Sequence, residues 1–253
     1  LFISRHPAHA LAARKAFPDR PVIFLPPDLR VRRLDRQTGR SLKDKIIYSF
    51  YRPQINRIER RAAEDADRLV TLSENLKNQF VENHRIAPER IEVIPPGVDT
   101  DRFRPGTADA DLLRELDLDS WDPVILTVAR LSPEKNLGFL LRAVSRIRSE
   151  GARLVIIGEG DTRKELEETA GKLGIASRVR FAGGRKRTEK FYRLARLFVL
   201  PSLEEPFGQV FLEAMASRLP CLGLRSRPGV SLVAGEEIIS QGRDGFIIEP
   251  DDP

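Results

Sequence analysis

The chain has 253 residues, 41% of them hydrophobic, a formal net charge of +6 and one cysteine, Cys221. That length holds one large domain or two ordinary ones, and a lone thiol excludes a disulfide framework and a thiolate metal cluster. No apolar run approaches the roughly 18 residues of a membrane-spanning helix, and Leu1, Phe2 and Ile3 run straight into Ser4, Arg5 and His6, a strand end and not a signal peptide.

Residues 21–25 form an apolar, β-prone run stopped by Pro26 and Pro27, which predicts a strand. Helical spacing follows over 55–66, a second strand over 68–72, and Ser73 stands as N-cap to a helix over 74–83. A strand over 91–94 ends at Pro95, Pro96 and Gly97. Residues 98–106 show no periodicity and contain Pro105 and Gly106. They are the expected linker between a first domain, 1–105, and a second, 106–253. Beyond it, strands are expected at 124–128, 154–157, 179–181, 198–200, 220–224 and 246–248, with helices at 136–147, 164–172, 189–195 and 210–216. Mostly apolar strands joined by crossover helices predict an α/β fold with a largely parallel sheet covered on both faces. The chain opens on a strand end and stops without closing helices, so both termini are expected to lie inside a longer protein.

The densest chemistry lies at 201–216, where Glu205 and Glu213 bracket Pro206, Phe207 and Gly208 at the opening of an apolar helix. Strand, turn and helix N-terminus follow in that order, as where open α/β sheets bind ligands. Free N–H groups at Gly208 and Gln209 would face an anion, favoured by the helix dipole. Glu213, one turn on, could accept hydroxyls of a ligand whose phosphates sit at the helix end. A phosphate site edged by acceptors fits a sugar nucleotide better than a bare anion.

Arg130 and Lys135 flank the loop after the strand at 124–128 and could reach the same crevice. There they would bind a pyrophosphate and stabilise the charge that develops as it departs; a local surface pairing with Glu134 is the plainer alternative. Gly158 and Gly160 follow another strand and suit either a tight turn or close ligand approach. Gly183 and Gly184 could let backbone contact a base, or be simple turn glycines. Three Asp-x-Asp patterns occur, at 65–67, 99–101 and 117–119, none after a convincing strand end near the crevice, so no metal is assigned. His6 lies just past a strand end and could reach an interdomain site, although a turn or surface histidine accounts for it as well.

Together these segments are similar to a family of enzymes. Residues 66–73, Pro96 through Asp99 with Arg102, Phe103 and Pro105, residues 128–136, and the Glu-x7-Glu element from Glu205 to Glu213 resemble, in order, a family 4 glycosyltransferase. The resemblance implies the GT-B architecture, two Rossmann-like domains facing a cleft, here with an incomplete first domain and a truncated second. It implies retaining transfer of a hexose-like sugar from a nucleoside diphosphate sugar, with no obligatory metal and no other cofactor. Arg130 and Lys135 then bind the donor diphosphate, Glu205 lies near the transferred sugar and departing phosphate, and Glu213 binds the nucleotide ribose. Backbone around Gly208 faces the donor and that around Arg185 lies near the base. Two departures stand out: no Gly-rich first loop is found in 1–59, and the compact turn expected before Glu237 is longer, with Pro228 in place of a glycine.

Charge bears on the acceptor. Residues 1–105 carry 21 Lys/Arg against 14 Asp/Glu, whereas 106–253 carry 22 against 23. Residues 30–61 alone hold 11 basic residues, opposed by Asp35, Asp44 and Glu59. That concentration suits an anionic membrane surface or a charged acceptor, and equally a solvated face. No zinc-finger spacing or RNA-binding aromatic motif points to a specific nucleic-acid partner. The expectation is a cytoplasmic protein, peripheral on the cytoplasmic face of a membrane, acting on a glycan, lipid-linked or small-molecule acceptor. Alternatives are a noncatalytic nucleotide-sugar-binding or membrane-associated scaffold, and a phosphorylase or epimerase of the same architecture.

Overall fold

The computed structural model describes residues 1–29, 42–149, 151–227 and 230–250, the side chains of 42–49 excepted. Arg30, Arg32, Arg33 and Arg36 of the basic span, and Pro228 and Gly229 of the altered turn, lie outside the described residues. The chain divides into two compact units, Leu1–Pro96 and Gly97–Pro253.

In the first unit, β1 (Phe2–Ser4) leads to α1 (Pro7–Ala16), β2 (Val22–Phe24), α2 (Leu42–Asp65), β3 (Arg68–Thr71), α3 (Glu74–His84) and β4 (Ile91–Val93). The four strands are parallel in the order β1-β2-β3-β4. Val22, Phe24 and Leu69 are almost fully buried with Ala62 and Ala63 of α2 and Leu76 and Phe80 of α3. Ser73 caps α3 as its sequence position predicts: its Oγ accepts the Leu76 N–H at 3.0 Å. The helix expected over 55–66 is the end of the longer α2, which runs through Pro53.

The second unit contains α4 (Ala110–Glu115), β5 (Val124–Val128), α5 (Leu137–Arg146), β6 (Arg153–Ile157), α6 (Arg163–Lys172), β7 (Val179–Gly183), α7 (Glu189–Tyr192), β8 (Leu197–Leu200), β9 (Glu204–Glu205), α8 (Gln209–Ala216), β10 (Cys221–Leu224), β11 (Leu232–Val233), α9 (Gly235–Ile238) and β12 (Gly245–Ile248). Six strands run parallel in the order β12-β10-β8-β5-β6-β7. Leu126 lies opposite Val155 on one side and Phe198 on the other. These three belong to one core, while Ile125, Leu154, Ile156 and Val199 belong to another with Leu137, Leu140, Leu141 and Val144 of α5. Successive strand residues thus feed opposite cores, which is why the strands read as mostly apolar runs.

The strand order sets the site. From β5 the chain steps outward to β6 and β7, then returns to place β8 on the other side of β5. The carboxyl ends of β5 and β8 therefore flank the topological switch point, where a crevice opens in sheets of this kind.

The boundary differs from the expected one at 105/106. Residues 97–105 belong to the second unit because their side chains dock there. Phe103 is 5% exposed in the core around Tyr192 and Phe198. Arg102 pairs with Glu189 at 3.1 Å and donates to the Lys186 carbonyl at 2.8 Å. A segment without periodicity is here a tethered strap and not a free linker.

Candidate active site

After β5 the chain passes Arg130 into a short 3-10 turn, Pro133–Lys135, and Asn136 turns left-handed (φ 53) to start α5. This loop is clamped by the turn that follows β6. Leu131 donates its N–H to the Glu159 carbonyl at 2.9 Å, and Thr162 donates to the Leu131 carbonyl at 3.2 Å. A Cβ at Gly158 would lie 1.8 Å from the Ala129 oxygen, and one at Gly160 would lie 2.1 Å from the Leu131 oxygen. These glycines thus make room for the protein's own backbone, a use other than the tight turn or close ligand approach expected of them.

On the other side of the switch point, Leu203 donates its N–H to the Glu134 carbonyl at 2.8 Å, joining the β5 loop to the segment between β8 and β9. The two-stranded parallel sheet of β9 and β11 sets Glu205 opposite Val233. Lys135 Nζ then lies 2.7 Å from Glu205 Oε2, with side-chain exposures of 15% and 16%. Ser202 Oγ stands 3.5 Å from the same oxygen. The local partner considered for Lys135 was Glu134; the cation instead reaches 70 residues along the chain. Arg130 is exposed. Burial opposes ionisation of Glu134, yet its hydrogen bonds and the Lys135 and Arg130 charges hold its carboxyl below the ordinary range.

Gly208 is left-handed (φ 93) and caps α8 with backbone alone, no side chain accepting from the first turn. A Cβ there would lie 2.8 Å from the Phe211 ring and 3.3 Å from Glu205 Cγ. Unclaimed N–H groups at a helix start favour an anion, and here they lie beside the Lys135–Glu205 pair. The Gln209 side chain is already engaged, donating Nε2–H to the Gly97 carbonyl at 2.7 Å. Glu213 Oε2 accepts from the Tyr192 hydroxyl at 2.8 Å. Burial pushes the Glu213 carboxyl above its ordinary range, against the opposing pull of Tyr192 and Arg102.

Other expected site residues are partly committed to structure. Gly183 (φ 72) accepts from the Gly158 N–H at 2.9 Å, and Gly184 donates to Glu159 Oε1 at 3.3 Å. The Arg185 guanidinium pairs with Glu115, donates to the Ala182 carbonyl at 2.8 Å and lies 5.6 Å from the Phe191 ring. His6 sits in the first unit as the N-cap of α1, its Nδ1 accepting from the Ala8 N–H at 3.2 Å. Cys221 is buried, and burial pushes its thiol up to about 12. Among the described residues no group of three or more His, Cys, Asp or Glu is placed to hold a metal ion, and no helix is long and apolar enough to cross a membrane. Sequence reasoning passed over Tyr192 and Ser202, and named Arg102 only in the interdomain passage. Tyr192 carries no local signal, since its partner lies 21 residues on and on another helix.

Six parallel strands in this order, with a cation–carboxylate pair and a bare helix start over the switch point, are those of a Rossmann-like domain. A family model described as glycosyl transferases group 1 matches residues 122–253, and one described as glycosyltransferase family 4 matches 4–102. The chain belongs to this glycosyltransferase family. It is 36% identical over 202 residues to a D-inositol 3-phosphate glycosyltransferase of Acidothermus cellulolyticus, covering 74% of this chain and 43% of that protein. It is also 36% identical over 169 residues to the enzyme of that name from Mycobacteroides abscessus, covering 64% of this chain and 38% of the relative. The chain thus spans less than half the length of these curated relatives. A crystal structure of Anabaena HepE in complex with UDP and glucose superposes with a TM-score of 0.79 at 21% identity, covering 99% of this chain and 64% of that one. That likeness shows the fold, GT-B.

Proposed function

We propose that the protein forms the donor side, and part of the acceptor side, of a retaining glycosyltransferase that moves a hexose-like sugar from a nucleoside diphosphate sugar to an acceptor hydroxyl. The observation that carries this is the 2.7 Å Lys135–Glu205 pair beside the start of α8, which no side chain caps. A diphosphate over Gly208 meets backbone N–H groups, with Lys135 and Arg130 as counter-charges. As the bond from the anomeric carbon to the phosphate oxygen breaks, the electron pair goes to the departing nucleoside diphosphate. Fixed cations stabilise that growing charge more than they stabilise the bound donor. The acceptor hydroxyl attacks from the face the phosphate leaves, its proton passing to a phosphate oxygen, which retains the anomeric configuration. Glu205 orients Lys135 and faces the transferred sugar, and Glu213 accepts the ribose hydroxyls.

The names of the relatives support a small phosphorylated polyol as acceptor, and the UDP and glucose bound to HepE support a sugar nucleotide as donor. The basic span 30–61 supports a lipid-linked or surface-glycan acceptor, reached from the cytoplasmic side by headgroup attraction. The test is a panel of nucleotide sugars and acceptors with the longer protein containing this chain, the product's anomeric configuration being read by NMR. Retention is expected. Inversion overturns the mechanism, phosphate-dependent release of a sugar 1-phosphate favours a phosphorylase, and nucleotide binding with every acceptor left unmodified favours a noncatalytic scaffold.

A further inference from the structure

We infer that Tyr192 is a positioning residue for nucleotide recognition: its hydroxyl holds one oxygen of Glu213 so that the other is presented to the ribose hydroxyls. The inference rests on the donor-site reading above and adds to it a residue that touches no ligand.

A carboxylate has four lone-pair positions on two oxygens. Tyr192 takes one of them on Oε2 at 2.8 Å, while Oε1 has no hydrogen bond among the described residues. The last torsion of a glutamate is soft, so nothing intrinsic fixes the plane of its carboxylate. Tyr192 supplies what the side chain lacks. It is 0% exposed, on the four-residue α7. Its ring is met edge-on by Phe103 at 5.6 Å and packed by Phe198 at 5.7 Å, and Phe198 in turn meets Phe211 edge-on at 5.7 Å. A ring enclosed in this way cannot swing without opening the core, so its oxygen is a fixed point against which Glu213 is set.

The proton is as firmly placed as the oxygen. Burial, followed by the neighbouring Glu213 charge, raises the phenol far above its ordinary value, so Tyr192 stays a donor at any pH the fold survives. Donation also favours the ionised form of Glu213, which burial disfavours. An oriented carboxyl group with one open oxygen suits a diol that donates two hydrogens. Phe103 comes from the same strap whose Gly97 carbonyl accepts from Gln209. The strap therefore braces both the first residue of α8 and, through Tyr192, the carboxylate one turn along it.

The test uses the whole 253-residue chain and calorimetric titration with UDP, GDP and ADP, the tightest binder then being compared with its 2′,3′-dideoxyribose counterpart. The wild type should favour the ribonucleotide by about 10-fold or more, the scale of a hydrogen bond to a charged group. Glu213→Gln should lose most of that preference. Tyr192→Phe keeps the ring and removes only the hydroxyl. It should cut the preference to roughly 3-fold or less while leaving affinity for the dideoxy form unchanged, a split that a merely structural role would not give. Phe103→Leu frees one side of the ring and should lower the preference partially. It also carries the test if Tyr192→Phe does not fold. Full preference in Tyr192→Phe or Phe103→Leu, with Glu213→Gln impaired, overturns the role of Tyr192 and leaves the donor site standing. Equal binding of the two nucleotides by the wild type, or binding of none of them, overturns the donor-site reading and the inference with it.

Discussion

Replacing Lys135 with Met keeps most of the aliphatic stem and removes the charge. The lost contact is the 2.7 Å pair with Glu205, whose two side chains are 15% and 16% exposed. A surface ion pair is worth under about 1 kcal/mol, and removing one partner of a fully buried pair costs about 3–5 kcal/mol. This pair lies between those limits, and Ser202 Oγ at 3.5 Å leaves Glu205 one weak polar neighbour. Lys135→Met should therefore lower unfolding stability by about 1–3 kcal/mol, the cost of an enclosed group left unpaired. Arg130→Met supplies the contrast, because Arg130 is exposed and its loss should change stability by no more than about 0.5 kcal/mol. Each substitution should weaken nucleoside diphosphate binding by about 1.5–3 kcal/mol, roughly 10- to 150-fold, as for one charge-assisted hydrogen bond. Urea unfolding and calorimetric titration of the same proteins separate the two effects. Adding Glu205→Gln to Lys135→Met removes the orphaned carboxylate and should recover part of the lost stability. A Lys135→Met protein with wild-type stability and wild-type diphosphate affinity would refute this reasoning.

Gly158→Ala forces a Cβ to within 1.8 Å of the Ala129 oxygen. The backbone on both sides is pinned by the bonds from Ala129 N–H to the Ile157 carbonyl and from Gly158 N–H to the Gly183 carbonyl. The substitution should cost more than about 3 kcal/mol, seen as a marked drop in melting temperature. Glu189 is 6% exposed, and although burial opposes its ionisation, its own backbone N–H, Arg187 and Arg102 hold its carboxyl below 4.5. Its contribution to stability is therefore present above the unfolded value and lost as pH falls through the lower folded one; Arg102→Met should flatten an acid unfolding profile in that window. Glu213 has the opposite sign: burial raises its folded value above 4.5, so its carboxylate costs stability as pH rises past 4.5. Glu213→Gln, with its amide oxygen still able to accept from Tyr192, should be at least as stable as the wild type near neutral pH in thermal melts.

Legibility in the sequence follows the range of the interactions. The strands of the second unit are plain because both faces are buried; the runs around Val155 and Val199 are continuously apolar, and the run around Leu126 is interrupted only by the buried Thr127. Glu205, Gly208 and Glu213 are legible because strand, turn and helix are adjacent in the chain, and Arg130 and Lys135 because they occupy the corresponding position after β5. What escaped is non-local or polar. β9 consists of Glu204 and Glu205, and nothing in two carboxylates announces a strand; its pairing with β11 exists only once the intervening α8 and β10 are folded. The strap at 97–105 has no periodicity because single side chains hold it, Phe103 in an aromatic core and Arg102 on Glu189. Arg185 is a loop cation whose Glu115 partner lies 70 residues earlier, and His6 offers a cap that only the turn into α1 reveals.

The most direct measurement is a crystal structure of the chain with a bound nucleoside diphosphate. The expected result is a diphosphate over the start of α8, with oxygens about 3 Å from the Gly208 or Gln209 N–H and from Lys135 Nζ, and ribose hydroxyls on Glu213 Oε1. A nucleotide seated away from the β5–β8 switch point, with the Lys135–Glu205 pair and Glu213 untouched, would contradict it.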